Sequence, residues 1–366
     1  MIASRNGQTL VRSIHGHRDL EMGDPADRDT IYHIYSMTKP VAAAGLLTLR
    51  DTGDVGLDDA VADYVPELSA LQVLLADGTT TAAQPMTIRH LLTHTSGLGT
   101  SFDPRSPVAA HYREAGLIGG SWYHDPDIDG LAGMAQRLAG VPLAFQPGER
   151  WLYSMGLDVA GLVCERISGR SLDVFLRERL FEPLGMIDTG FHVPPNAAGR
   201  LASVYGPDTG GLTRVIDAAS SPWLRHPTAP SGGGGLVSTL HDYHRFARML
   251  ASGGASVLSA ESVRLMLTNQ LSPKQTRGLE AAAAFGFGGS GGGLGFGLGG
   301  AVLVDPQASG TPGRRGEFGW GGAASTTFWV DPARGDAVVF MTQLLPSNTI
   351  PMRDLLKQRL AAAGVA

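Results

Sequence analysis

Strand-like runs stand at both ends of this chain, and apolar stripes at helical spacing fill its middle. Near the start, Met1–Ser4 and Gln8–Gly16 flank Arg5-Asn6-Gly7. Asn-Gly between two strand-like runs predicts a hairpin. Beyond Ser36, the Ala/Leu-rich stretch Lys39–Leu49 predicts a helix with a proline near its start and a stop at Gly53. Residues 54–85 read as loop, punctuated by Pro66, Gly78 and Pro85. Thr87–Leu92 predicts a short capped helix. Val159, Val163 and Ile167 repeat at four-residue spacing before Gly169, and Leu172, Phe175, Leu176 and Leu180 form a second stripe stopped by Pro183. Thr239 and Asp242 have the spacing of a capping box. The helix they open shows Tyr243, Phe246 and Leu250 on one face and ends at Gly253-Gly254. Phe285–Gly300 is a Gly/Phe/Leu run, followed by strand-like Ala301–Val304, Ser325–Val330 and Ala337–Met341. Met352, Leu355, Leu356 and Leu360 predict a last helix. This order predicts an α/β domain built from both termini, residues 1–55 and 220–366, with a mainly helical domain, 56–219, between them.

Composition narrows the function classes. Hydrophobic residues make up 43% of the 366 positions and charged residues only 17%, so a large core is available and global disorder is excluded. A net charge of −5 argues against a broadly basic nucleic-acid-binding protein. The single cysteine, Cys164, excludes an intrachain disulfide framework and a cysteine-cluster metal site. It sits in an amphipathic stripe and reads as a buried small hydrophobe. No segment reaches the roughly 18 apolar residues of a membrane helix. The start, Met1-Ile2-Ala3-Ser4-Arg5, lacks the apolar centre of a signal peptide. A cytoplasmic protein without membrane partner is therefore expected.

Three segments carry candidate chemistry. In Ser36-Met37-Thr38-Lys39 a helical turn places the serine and lysine on one face. A serine hydroxyl needs a neighbouring base to become a nucleophile, and an ammonium there stabilises the resulting anion. Alone, S-x-x-K occurs often by chance, and the commoner reading is a serine capping a helix beside a solvated lysine. Tyr153-Ser154-Met155 follows the turn Pro147-Gly148-Glu149-Arg150. A tyrosine beside a cation favours phenolate and suits general-base work, although a lone tyrosine is more often a core residue. Gly319-Trp320-Gly321-Gly322-Ala323 stands directly before a strand, where glycines let backbone approach a ligand.

Taken together and in this order, the three segments resemble those of serine β-lactamases and penicillin-recognising hydrolases. The similarity is greatest to the class C β-lactamase-like esterases, the family VIII carboxylesterases. It extends over about residues 5–345. It includes Thr87–Leu98 (T-I-R-H-L-L-T-H-T-S-G-L), Phe181–Thr189 (F-E-P-L-G-M-I-D-T) and Gly232–Thr239 (G-G-G-G-L-V-S-T). The resemblance implies an α+β fold of the β-lactamase/transpeptidase type. An antiparallel sheet is flanked by helices and joined to a mainly helical domain, with the active site between them. It implies Ser36 as the acylated nucleophile and Lys39 and Tyr153 as a shared general acid/base. It also implies the N–H groups of Ser36 and Ala323 as the oxyanion hole. Trp320, Gly321, Gly322 and Met155 would line the substrate pocket.

Departures from the pattern carry information. β-Lactamases of this group have Tyr-x-Asn, whereas Met155 stands at the third position and offers no hydrogen bond. Their Lys-Thr-Gly is replaced by Trp320-Gly321-Gly322, the form the esterases carry. Losing a cation and an amide makes the pocket more apolar and favours neutral esters over carboxylated lactams. Relatives also carry a helix and a longer first strand ahead of the Asn-Gly turn, whereas this sequence starts inside that strand, which bears on the localisation expected above.

Other signals are set aside. Gly288-Gly289-Ser290-Gly291-Gly292 matches a G-x-S-x-G elbow, but inside a glycine run such a match is nearly free. His90 and His94 stand four apart, as on a metal-binding helix face, with no acidic third ligand following. Trp122, Tyr123 and His124 are candidate substrate contacts in an irregular region. The expected activity is hydrolysis of short- to medium-chain carboxylic esters by way of an acyl-enzyme, with a small-molecule ester as partner and neither metal nor organic cofactor. β-Lactam hydrolysis, D-amino-acid peptide or amide hydrolysis, and acyl transfer are alternatives on the same site. A non-catalytic, acyl-binding penicillin sensor is a further alternative, and both monomer and homo-oligomer remain open.

Overall fold

The computed structural model describes residues 1–103, 106–283, 292–310, 312–347 and 349–365. Its centre is a seven-stranded sheet. The strands are β1 (Ile2–Arg5), β2 (Gln8–Arg12), β3 (Leu294–Phe296), β4 (Ala301–Leu303), β5 (Phe318–Gly321), β6 (Thr327–Asp331) and β7 (Asp336–Phe340). Their order is β3-β4-β5-β6-β7-β1-β2, every neighbour antiparallel. Asn6 and Gly7 both take positive φ, as the Asn-Gly turn requires. β1 pairs with β7 in the register Ile2↔Val339, so the first strand lies inside the sheet beside the last.

Alternation along the strands gives the sheet two buried faces. On one, Phe328 meets Tyr243 and Phe246 of helix α4 (Leu240–Ala251), with ring centroids 5.1 and 6.4 Å apart. On the other, Ala3, Trp329 and Val338 pack with Leu360 of helix α5 (Met352–Ala362). The helices of the other half that position the site include α1 (Thr38–Thr52), α2 (Ile88–Leu92) and α3 (Gly156–Ser168). Residues Thr38–Leu49 of α1 are all buried, so this helix is wrapped by protein on every side. It ends at Gly53, whose φ of 84° places it in the left-handed conformation that closes helices.

Several sequence expectations shift. Residues 54–85 are not all loop: Gln72–Leu74 and Thr80–Ala82 pair as a hairpin, and short 3₁₀ turns cover Val61–Asp63 and Pro66–Leu68. Elements of three residues are too short to leave a period. Pro183 does not stop its stripe. The helix Leu172–Leu176 widens into a π turn at Arg177–Phe181, and Pro183 falls in the first turn of the final piece, Glu182–Leu184, where its missing N–H costs nothing. The capping box at Thr239 is half formed. Its hydroxyl accepts from Asp242 N–H, whereas the Asp242 carboxylate turns to Asp188 N–H and Arg245. The G-x-S-x-G match, apart from Gly292, lies outside the described residues.

One buried carboxyl sets a pH dependence of stability. Glu165 on α3 accepts the Leu172 N–H at 2.8 Å, and burial pushes its carboxyl up to about 7. Between the ordinary carboxylate range and 7, the folded chain holds a proton that the unfolded chain has released. This contribution therefore falls as pH rises through that window. Glu165→Gln keeps the acceptor and removes the charge. Urea melts will show it more stable than the parent by on the order of 2 kcal/mol at pH 8, and nearly equal at pH 4.5.

Candidate active site

Ser36 lies in a 3₁₀ turn, Tyr35–Met37, that leads directly into α1. It therefore does not cap the helix: the N-cap is Met37, and no side chain caps there. Tyr35 holds φ at 43°, a left-handed conformation uncommon outside glycine, and this sharp bend turns the serine toward a cavity of about 700 Å³. Tyr243 on α4 fixes the turn by donating its hydroxyl to Met37 C=O at 2.8 Å.

The Ser36 hydroxyl is 2.5 Å from the Tyr153 hydroxyl. Lys39, one turn along α1 and buried, stands 4.4 Å from the centroid of the Tyr153 ring and donates to Gly233 C=O at 2.6 Å. A candidate nucleophile, a candidate base and a cation thus meet in one apolar-walled space. Tyr153 is held from behind by His94, whose ring centroid is 4.9 Å away. His94 Nδ1 bonds Ser154 Oγ at 2.9 Å. Burial, with the charge of Lys39, holds this imidazole well below its usual range and therefore neutral. The pair read as one metal face is split by the end of α2 at Leu92: His90 closes a capping box on Thr87, while His94 faces the opposite way into the core.

The third segment is itself strand: Phe318–Gly321 forms β5, with Phe318 and Trp320 on its buried face. Trp320 stacks near Tyr153 at 6.2 Å and 22°, and lines the cavity with Gly321, Gly322 and Ala323. The chain then turns back through Ala323-Ala324, closed by Ser325 N–H to Gly322 C=O at 3.1 Å. A Cβ on Gly322 would stand 2.4 Å from Ile34 C=O and 2.3 Å from Thr326 Oγ1. Only glycine lets this turn lie against the Ser36 turn. Ser36 and Ala323 both line the cavity, and the first N–H groups of a 3₁₀ turn have no partner within it. Met155 and Trp122 and Tyr123 also line the cavity, whereas His124 packs behind them on Trp223, with centroids 5.0 Å apart.

Sequence reasoning missed Asp158, Phe102 and Arg353, which share this cavity. Phe102 is about half exposed at the mouth, 5.9 Å from the Tyr153 ring. Arg353 reaches in from α5, its Nε donating to Thr327 Oγ1 at 3.0 Å. Asp158 is the only charged residue in the nine-residue buried run Gly156–Cys164, and that interruption is the signal that marks it. Among the described residues no three metal-ligating side chains cluster, and no helix is long and apolar enough to cross a membrane.

A model of the Beta-lactamase family matches residues 1–363. The chain belongs to that family. Among its relatives is Esterase EstB of Burkholderia gladioli, 33% identical over 98% of this chain and 90% of that protein. Protein Rv1367c of Mycobacterium tuberculosis is 37% identical over 96% of this chain and 86% of the relative. The structure of EstCE1, described as a hydrolase with promiscuous acyltransferase activity, superposes with a TM-score of 0.84. It is 27% identical and covers 98% of this chain and 92% of that one. The α+β arrangement and the β-lactamase/transpeptidase-like fold expected from the motifs are thereby established, and family membership supports a serine hydrolase or acyltransferase.

Proposed function

We propose that this family member is a serine carboxylesterase cleaving short- to medium-chain esters through an acyl-enzyme on Ser36. The supporting observation is the 2.5 Å contact between the hydroxyls of Ser36 and Tyr153 beside Lys39, in a cavity walled by Met155 and Trp320. Ser36 Oγ attacks the ester carbonyl carbon and its proton passes to the Tyr153/Lys39 pair. The N–H groups of Ser36 and Ala323 receive the oxyanion. The bond to the alcohol oxygen breaks, and the pair returns the proton to that oxygen. Water then attacks the acyl carbon, gives a proton to the pair, and Ser36 leaves with that proton as the free hydroxyl. The sum is ester plus water to acid plus alcohol, with no external co-reactant.

Met155 and Trp320 offer neither the amide nor the ammonium that would hold an antibiotic's polar groups, so neutral esters fit better than lactams. Steady-state hydrolysis of p-nitrophenyl butyrate and nitrocefin, measured side by side, tests this. The ester is expected to exceed nitrocefin in kcat/KM by about 10³-fold or more. A higher value for nitrocefin sinks the esterase reading in favour of a β-lactamase. A stable adduct without turnover replaces it with a penicillin-sensor-like role. A second reading, acyl transfer, is favoured by the likeness to EstCE1. It predicts that an added alcohol is acylated at the expense of free acid.

A further inference from the structure

Asp158 is 3% exposed, and nothing in the proposed ester chemistry uses it. Its Oδ1 accepts from Ser231 Oγ at 2.5 Å and from Gly233 N–H at 2.9 Å. The same residue, Gly233, presents its C=O to Lys39 Nζ at 2.6 Å. A Cβ on Gly233 would stand 2.4 Å from Asp158 Oδ2, so the glycine chain lies directly on the carboxylate. Burial pushes the Asp158 carboxyl up from the usual carboxylate range, and Lys39, the Ser231 hydroxyl and the Gly233 N–H work against that shift, because a buried carboxylate is costly unless hydrogen bonds and an opposite charge compensate it. Here the bonds come from the glycine-rich loop and the charge from Lys39.

We propose that Asp158 is a positioning residue that holds the Gly233 backbone as the acceptor for Lys39 and, through that loop, ties its carboxylate to the ammonium beside Tyr153. The inference rests on the ester mechanism above. The glycines at 232–235 gain a physical purpose from it: they let a loop without side chains carry the carboxylate's influence to the ammonium. The ionisable groups facing Asp158 are Lys39 from α1, Tyr112 from the helix Ala109–Glu114 and Tyr123 from the turn Trp122–His124, with Tyr153 beside Lys39. Burial drives the phenols of Tyr112 and Tyr123 upward, and Asp158 adds to that, so both stay neutral. Lys39 is the cation among them.

A buried negative charge favours the protonated form of every titratable neighbour. Asp158→Asn keeps the shape and an acceptor oxygen for Ser231 and Gly233 while removing that charge. Both limbs of the pH profile of kcat/KM for p-nitrophenyl butyrate should then move to lower pH, by about one unit. The maximal rate should fall roughly tenfold, part of what general acid–base work contributes. Ser231→Ala removes the 2.5 Å hydrogen bond but leaves the charge, and should lower the maximal rate several-fold with both limbs in place. A folded Asp158→Asn protein, checked by its circular dichroism melt, whose limbs coincide with the parent's overturns the proposal. If that variant does not fold, a full parental rate in Ser231→Ala overturns it instead. Failure of the ester reading itself looks different: the parent protein then shows no pH-dependent ester turnover to displace.

Discussion

Ser36→Ala will leave p-nitrophenyl butyrate hydrolysis at the background rate, a loss of about 10⁴-fold or more in kcat. The size follows from the chemistry. Without Oγ there is no acyl-enzyme, and the Tyr153/Lys39 pair has only water to activate, held by nothing in place of the serine. Fold should be untouched, because Ser36 makes no helix-capping bond and its hydroxyl contacts Tyr153 across the cavity. A fluorophosphonate probe should label the parent on one serine and the variant not at all, as read by intact mass. Ester turnover that survives the substitution refutes the mechanism at its first step.

Gly322→Ala will cost about 10²–10³-fold in kcat, the usual effect of losing one oxyanion donor. The methyl group has nowhere to go: backbone oxygen of Ile34 lies 2.4 Å from its position, and that residue leads into the Ser36 turn. The Ala323 turn must therefore back away from the serine. Tyr153, Lys39 and Ser36 keep their contacts, so labelling by a reactive fluorophosphonate should slow less than ester turnover. KM should change little, because the oxyanion forms only after binding. Parent-like kcat in this variant would remove Ala323 from the proposed oxyanion hole.

Much of this site was legible because its local chemistry is stated within a few adjacent residues. Ser36 and Lys39 are one helical turn apart, and the proline and Gly53 that frame α1 act locally. The likeness to a known family added the pairing with Tyr153 and Trp320, which lie more than a hundred residues away and which no periodicity connects. β5 was placed ahead of a strand and not recognised as one, because two of its four residues are glycine. Yet Phe318 and Trp320 alternate with those glycines, and the alternation is a strand signal once glycine is allowed as the outward residue. Asp158 escaped because a helix read for its apolar stripe discards the polar exception. Arg353 escaped because a helix near the chain's end gives no hint that it overhangs a cavity formed by its beginning. The split at Leu92, which parts His90 from His94, depends on where a short helix stops, and such ends are fixed by one or two hydrogen bonds.

The pairing of Ile2 with Val339 also orders events in time. A ribosome delivers Ser36, Lys39 and Tyr153 early, whereas β5, with the turn at Ala323, and the strand that pairs with β1 come last. Contacts of such long sequence separation close slowly. The nascent chain thus carries Ser36, the proposed nucleophile, for most of its synthesis without the wall proposed to receive an oxyanion. The proposed oxyanion hole is assembled only when the late strands join the first, so an incomplete chain lacks half of the site that the proposed ester chemistry needs.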